Sequence, residues 1–514
     1  MTKNKEQDYT GASRVISNVL TGWISYLILF VVGFFLPRFI DEKLGQELLG
    51  IWDFSWSVAN YFSLASLGIG SSLNRFVAKY RAEQKLDQLS IAVTSVVWVQ
   101  AGLALLVSMA ALAGSYLLPY YFGDRFGENT EAAQAVVLYL GLSIALQFLF
   151  DTSRGILTGC HRWDLFNGLN SLAYMLTVIL MIGALSIGGS LQQMSIIYML
   201  MTGVQGAVRM YLARRICPEA RFSPRFFSFE FVKEIFPFGV KTIMIGISHF
   251  LIVQSSYLLV ASTLGPAALA VLARPVSLVK HVESFITRFA FILTPMAGSM
   301  QASQDQTRLN SFVYAASKYG FAFTLPAMIL FGFYGNDLLR VWMGGDYVTD
   351  YLVLILAIGL LLPISQSPVV RIMVGRNLHG PVALMSLLMT VAGFAVGASV
   401  ALLYGVTVET AGVLIVTLST LVNGIAVPIY SCIRMGVPVM SYIRETFLRV
   451  ALIGAASLAV LFVFDSFVHF HGALIFLNVA VYGIFTLVLY WFFLLTEKDK
   501  QTVLKKLPAR FRPG

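Results

Sequence analysis

A bundle of transmembrane helices, about fourteen of them, is the fold class that this 514-residue sequence predicts. Three observations carry the prediction. Hydrophobic residues make up 57% of the chain and charged residues 12%, whereas a soluble domain carries roughly twice that charged fraction. Mean hydropathy is +0.77. Apolar runs long enough to cross a hydrocarbon core of about 30 Å recur from one end to the other. Lipid offers no partner for a free N–H or C=O, so such spans are helices or the strands of a closed barrel, and the alternating segments of a barrel are absent here.

The runs fall in order at residues 15–40, 48–74, 90–119, 132–158, 165–187 and 193–213, then 237–263, 267–297, 311–334, 350–374, 380–404 and 410–433, and finally 445–465 and 473–495. The organisation this predicts is a first lobe over 1–216, a linker over 217–236, a second lobe over 237–434, two added helices over 435–495 and a basic tail over 496–514. The leading stretch MTKNKEQDYTGAS holds no short apolar segment followed by a small-residue cleavage site, so no removable signal peptide is expected.

Basic residues between the spans gather on one side. The loops around Arg75, Arg81 and Lys85, the linker with Arg214, Arg215 and Arg221, and the tail with Lys505 and Arg510 all lie there. The opposite side holds mostly acids such as Asp41, Glu47, Asp124 and Asp346. Both termini are therefore expected in the cytoplasm, in the bacterial inner (plasma) membrane. The net charge of +10 is spread over these short loops, which accounts for it by topology and anionic lipid and excludes a nucleic-acid partner. Cys160, Cys217 and Cys432 fall near the cytoplasmic side, where disulfides are not maintained.

The chain also repeats itself. LGQELLGIW from Leu44 matches LGPAALAVL from Leu264, and the spacing of 220 residues runs without a gap through the polar helix that follows each. LLPYYFGD from Leu117 pairs with LLRVWMGGD from Leu338, and ILTG from Ile156 with IMVG from Ile372. Two six-helix halves in the same orientation follow, with two helices added at the end. Parallel repeats of this kind typically hold their substrate near the midplane, where the halves face each other, and work by rocking.

The stretch from Phe35 to Tyr80 resembles the opening helices of the Wzx-type polysaccharide flippases, through Arg38, Leu44-Gly45, Gly50, Leu67-Gly68 and Arg75. Leu338 to Gly359 is similar to that family's junction of the ninth and tenth helices. The resemblance implies the fold of the multidrug/oligosaccharidyl-lipid/polysaccharide exporter superfamily, a V-shaped pair of six-helix lobes around a central cavity. Fourteen spans look like the lipid II flippase subgroup and some polysaccharide exporters, where the last two helices help to form a groove for a polyprenyl tail.

Charge inside the eighth span points to a substrate. At about 100° per residue, Arg274, Ser277, Lys280, His281, Glu283, Ser284, Thr287 and Arg288 share one half of the helix, while Leu278, Val279, Val282, Phe285, Ile286, Phe289 and Ala290 fill the other. An ionisable group at the bilayer centre costs at least about 2.5 to 3.5 kcal/mol, so such a face persists against water, protein or ligand. Snorkelling of Arg274 and Arg288 and a Lys280–Glu283 bridge are the bland alternative, but four cations cannot be neutralised by one anion.

A net positive face suits a diphosphate, whose oxygens Arg guanidinium groups grip through paired hydrogen bonds. Asp53 and Asn60 on the second span, with Ser63, Asn74 and Tyr61, offer polar partners for a sugar, and Asn60 stands at the repeat position of Lys280. Lys241 and His249 on the seventh span, near Gln254, are candidates for the same cavity. His281 and Glu283 are the candidates for ion coupling. Asp151 and Arg154 read as a local pair, Arg209 as an anchor at a helix end, and Trp23, Trp52, Trp56 and Trp342 as interfacial residues.

No phosphate loop, metal-ligand spacing or nucleophile elbow occurs, so neither an enzyme nor a bound cofactor or metal is expected. The leading expectation is a flippase for a polyprenyl-diphosphate-linked oligosaccharide, working with membrane lipids and a polysaccharide polymerase or synthase. A cation-coupled multidrug exporter, which wants an acidic cavity, and a non-transporting scaffold of a synthase complex are the rivals.

Overall fold

The computed structural model describes residues 12–66, 68–291, 293–301, 305–467, 475–497 and 499–501. Those residues form two compact units, 1–270 and 271–514. The first holds α1 Ala12–Leu44, α2 Gln46–Ser63, α3 Ile69–Ala82, α4 Leu86–Phe126, α5 Thr130–Gly159, α6 Trp163–Ser186, α7 Leu191–Ile216 and α8 Phe229–Leu264. Next, α9 Pro266–Phe291 runs from the first unit into the second. The second unit continues with α10 Leu293–Gln301, α11 Gln306–Trp342, α12 Leu352–Ser365, α13 Ser367–Gly375, α14 His379–Tyr404, α15 Val408–Ser419 and α16 Val427–Met435. It closes with α17 Val439–Ile443, α18 Arg449–Phe467 and α19 Ile475–Leu489.

Among the described residues, eleven helical stretches are long and apolar enough to cross a membrane, and one of them, Leu86–Gly159, takes in both α4 and α5. That makes twelve spans. The two missing from a count of fourteen are α2–α3 and α9–α10, the polar pair related by the repeat. Their polarity removes them from a hydropathy criterion while their length and place keep them as spans. The protein is a multi-pass, all-helical membrane protein.

Repeat symmetry is visible in the backbone. Gly45 before α2 and Gly265 before α9 take φ of 87° and 93° with ψ of 167° and 177°, a conformation that a Cβ disfavours. After α5, Cys160, His161 and Arg162 donate their N–H groups to the carbonyls of Ile156, Thr158 and Leu157. After α13, Arg376, Asn377 and Leu378 donate to Ile372, Val374 and Met373 in the same pattern. His161 and Asn377 both sit at φ 57°. Gly159 lets α5 approach α3 so closely that a Cβ would fall 2.8 Å from the Asn74 carbonyl oxygen, and Gly375 does the same at 2.2 Å from that of Thr294, the repeat partner of Asn74.

In the first unit α4 lies along α5, α5 along α7, and α1 along α6, while α8 packs on α2, α3 and α4. The linker is stitched to the helix ends: the Arg221 N–H donates to Ser90 Oγ at 3.1 Å, Thr94 Oγ1 to the Arg221 carbonyl at 3.2 Å, and the Ser228 N–H to Ser95 Oγ at 2.9 Å. Arg81 and Glu219 pair at 2.8 Å. Cys217, Ala220 and Phe231 are buried in the same core as Leu73, Val77 and Leu89. The linker is thus packed in part on the ends of α3 and α4, while Phe227 and Phe229 stay exposed.

In the second unit, α18 and α19 are held to α11 by polar contacts. The Tyr334 phenol donates to Asp465 at 3.0 Å and accepts from the Asn478 amide at 3.2 Å, and the Tyr490 phenol donates to the Ala322 carbonyl at 2.7 Å.

Candidate functional site

The polar face of α9 lies in the second unit. Its apolar half is mostly buried: Leu278, Val279, Ile286 and Ala290 are nearly inaccessible. The polar half is the more open one, with Ser284 and Arg288 exposed and Ser277, Lys280, His281, Glu283 and Thr287 half-buried. Arg274 departs from this, being only 3% exposed. The helix thus packs as its hydrophobic period dictates and turns its polar half, Arg274 excepted, to the more open side. Pro275 interrupts the ladder beside Arg274, since it lacks the N–H that would bond the Val271 carbonyl. An open face carrying that charge is unfavourable against lipid, so the face is wet or occupied.

In the first unit the face of α2 is polar and nearly neutral. Asp53, Trp56, Asn60 and Ser63 follow one stripe at i, i+3, i+7 and i+10, all half-buried. The opposite side of α2, with Leu49, Ile51, Phe54 and Ala59, is core. Gly50 permits a close approach: a Cβ there would stand 1.8 Å from the Pro266 carbonyl oxygen. The helix then breaks. A short 3-10 turn, Leu64–Ser66, leads to Gly68 in the left-handed region, φ 65°, before α3 starts. Asn74 therefore stands on a different helix from the Asp53–Asn60 stripe, because the turn resets the helical phase.

Tyr61 belongs to packing. Its phenol hydrogen-bonds Ser255 on α8 at 2.7 Å, and its ring meets Phe250 edge-on at 5.3 Å. Gln254 is buried, and its side-chain oxygen has no partner among the described residues. His249 is half-buried, while the side chain of Lys241 lies outside the described residues.

Three of the four tryptophans Trp23, Trp52, Trp56 and Trp342 are at least half-buried in protein. Trp52 is 7% exposed, and with Trp56, Tyr174 and Tyr198 it lines a cavity of about 170 Å³ between α1, α2, α6 and α7. Trp56 meets Tyr198 edge-on at 5.0 Å. Trp342 is buried as well, and Trp23 alone of the four is exposed. Closure by α6 and α7 makes Trp52 and Trp56 cavity walls.

A second polar cluster of the first unit escapes sequence reasoning. Thr152 Oγ1 donates to Gln100 Oε1 at 2.5 Å, and Gln100 Nε2 donates to Asp151 at 3.4 Å. Arg209, 9% exposed, donates to Ser153 Oγ at 2.8 Å and to Asn170 at 3.5 Å. Asp151 rests on Gly70, where a Cβ would fall 1.6 Å from its carboxylate oxygen. Arg209 is thus a buried crosslink and not a terminal anchor. Arg154 is exposed and lies 5.6 Å from the centre of the Phe166 ring, and no ion pair joins it to Asp151 among the described residues. The only advance signal is an acid and an arginine in otherwise apolar spans, because the partners come from four different helices.

Among the described residues no group of three or more His, Cys, Asp or Glu side chains is arranged to hold a metal ion. The three cysteines are buried thiols.

Residues 23–182 match the MatE family. The chain is 24% identical over 453 residues to the uncharacterized membrane protein EpsK of Bacillus subtilis (strain 168), covering 85% of each. It is 26% identical over 165 residues to a Salmonella typhi protein named "Putative O-antigen transporter", covering 30% of this chain and 36% of that one. Among solved structures it is similar to the lipid II flippase MurJ in an inward closed conformation, with a TM-score of 0.66, 15% identity, and coverage of 92% of this chain and 99% of that one. It is similar also to an inward-facing multidrug resistance MATE transporter of the MOP superfamily, with a TM-score of 0.62, 15% identity, and coverage of 82% and 98%.

Proposed function

We propose that this chain, a membrane transporter of the multidrug/oligosaccharidyl-lipid/polysaccharide exporter superfamily, moves a polyprenyl-diphosphate-linked oligosaccharide from the cytoplasmic to the outer leaflet of the bacterial inner membrane by alternating access, with both termini cytoplasmic. The observation that carries the reading is the sign of the open face of α9. On that face Lys280, His281 and Arg288 outnumber Glu283, with Arg274 buried beside them, and an anionic head carrying about two charges is what such a face attracts. The Arg288 guanidinium grips phosphate oxygens, Lys280 adds a point charge, and Arg274 contributes its charge from a buried position.

The neutral face of α2, with Asp53, Asn60 and the aromatic cavity beside Trp56, supports a role in holding the sugar, since amphipathic rings and hydroxyl or amide partners suit a saccharide. Lys241 is assigned to the phosphate side. Outward movement of an anion runs down an inside-negative potential, worth about 2.3 kcal/mol per charge per 100 mV. His281 and Glu283 are the groups through which a proton would couple.

The test is transport of fluorescent lipid-linked oligosaccharide by the purified protein in vesicles. Wild type moves the label to the accessible leaflet, and the Arg274→Gln, Lys280→Met, Arg288→Gln triple variant does not. Equal rates in both, or no movement by wild type, sink the reading, and the second outcome favours a scaffold. The MatE match over 23–182 supports multidrug export as the second reading. Efflux of an organic cation, with no movement of the lipid-linked sugar, would establish it.

A further inference from the structure

A second basic region of the second unit has no residue from α9 in its lining. Between α11 and the α17–α18 segment lies a cavity of about 510 Å³ whose walls include Lys318, Arg444, Glu445, Leu448, Arg449 and Leu452. Three cations face one carboxylate. Glu445 pairs with Arg444 at 3.1 Å, both side chains being largely exposed. Arg449 has no hydrogen bond or ion pair among the described residues. Asp499, which acts electrostatically on Lys318, is held by the Tyr319 phenol at 2.8 Å and by Thr496. The cavity keeps a positive balance.

Its backbone is irregular where the charges stand. Residues Arg444–Leu448 form a π-helical turn. The turn buries Thr446 and leaves Arg444, Glu445, Leu448 and Arg449 exposed together. Single π turns are rare and recur at functional sites. Leu448 and Leu452, 55% and 64% exposed, continue one turn apart from the cations. Cations followed by an apolar strip match a ligand that joins an anion to a hydrocarbon chain.

Depth agrees with that match. Gln306 at the start of α11 donates to the carbonyls of Met435 and Gly436, so α11 begins at the end of the unit where α16 ends. With 37 residues, α11 is about 55 Å long and exceeds the hydrocarbon thickness by about 25 Å. Lys318, about 18 Å along it, stands at headgroup level when the excess lies at that end. Basic pockets between transmembrane helices at that level hold the heads of anionic lipids.

We propose that this cavity binds the phosphate head of an anionic phospholipid, with an acyl chain along Leu448 and Leu452. The site is separate from the α9 face, and its occupancy does not depend on what the protein transports.

Native mass spectrometry of the full chain, offered phosphatidylglycerol and phosphatidylcholine in equal amounts, tests the proposal. Phosphatidylglycerol is expected to be retained about tenfold over phosphatidylcholine, and each of Lys318→Met, Arg444→Gln and Arg449→Gln is expected to lower that retention about fivefold. Leu448→Ser with Leu452→Ser is expected to weaken retention of the lipid. Equal retention of the two lipids, or undiminished retention in the triple charge variant, overturns the proposal. Displacement by inorganic phosphate without dependence on Leu448 and Leu452 assigns the cavity to a free anion and also overturns it. So does preferential retention of a polyprenyl phosphate, which would make the cavity part of the transport path. If the triple variant is not recovered folded, Arg449→Gln alone carries the comparison.

Discussion

Asn60 on α2 and Lys280 on α9 occupy the same step of the two repeats, and so do Gly68 and Arg288. The turns that precede the two helices agree to about 10° at Gly45 and Gly265. Beyond those turns the two elements differ in charge and in continuity. The first is neutral apart from Asp53 in its polar stripe and is broken by a left-handed residue at Gly68, whereas the second is cationic and runs unbroken through Arg288. An L side chain at the Gly68 conformation costs about 1 to 2 kcal/mol, which disfavours a guanidinium at that place in the first unit. The comparison teaches that the repeat preserves backbone turns and close glycine contacts, while the ligand chemistry of each face is set separately.

The largest effect expected from breaking this symmetry is at Gly50. Its repeat partner Ala270 already carries a Cβ, yet at Gly50 a Cβ meets the Pro266 carbonyl oxygen at 1.8 Å. Gly50→Leu is expected to destabilise the protein by about 3 kcal/mol or to prevent its accumulation, read by thermal unfolding in detergent. Wild-type melting would show that the packing of α2 is wrongly described.

Next in size is the loss of charge. Arg274→Gln or Lys280→Met is expected to slow lipid-linked sugar transport about tenfold or more with normal protein levels, the loss of one charge-assisted contact. Asn60→Ala and Asp53→Asn on the neutral face are expected to cost about threefold, as neutral hydrogen bonds do. Equal losses on both faces would erase the division between phosphate and sugar.

Smaller still is the backbone difference. Gly68→Ala is expected to lower stability by about 1 kcal/mol, and Arg288→Ala to leave it within about 0.5 kcal/mol, since only the former sits at positive φ. The smallest effect concerns Asp499 in the tail. Burial by itself would raise its pKa, but hydrogen bonds from Thr496 and Tyr319 and the charge of Lys318 outweigh burial and hold it below the ordinary carboxylate range. Its contacts therefore stabilise fully above the unfolded value near 4 and are lost as pH falls through the lowered folded value. Asp499→Asn should flatten that acid limb of the melting profile by a fraction of a degree to about 2 °C.

Much of the fold is legible because hydropathy and period are local. The alternation of apolar and polar residues along Arg274 to Ala290 states which half of α9 packs, and the structure buries Leu278, Val279 and Ile286 accordingly. The break at residues 64–68 was not legible, since Gly68 reads equally as a helical small residue. The Gln100, Asp151, Arg209 and Asn170 cluster was not legible either. Its members lie up to 109 positions apart, and a local i, i+3 rule paired Asp151 with Arg154 instead. The cavity that Tyr174 and Tyr198 close over Trp52 and Trp56 was not legible either, since its walls come from distant helices.

By itself, the order of amino acids determined that this chain spans a membrane many times, that its two halves repeat, and that one span carries a cationic face. Those are properties of residues near one another in the chain, governed by transfer free energy and helical period. Tertiary structure alone decided that Arg209 is a buried crosslink, that the linker is packed on α3 and α4, that two tryptophans wall a cavity, and that Lys318 meets Arg444 and Arg449 across more than a hundred positions. Contacts of that kind depend on which helices approach and at what depth. Close packing at positions such as Gly50 and Gly70 settles that approach, and no periodicity within one helix records it.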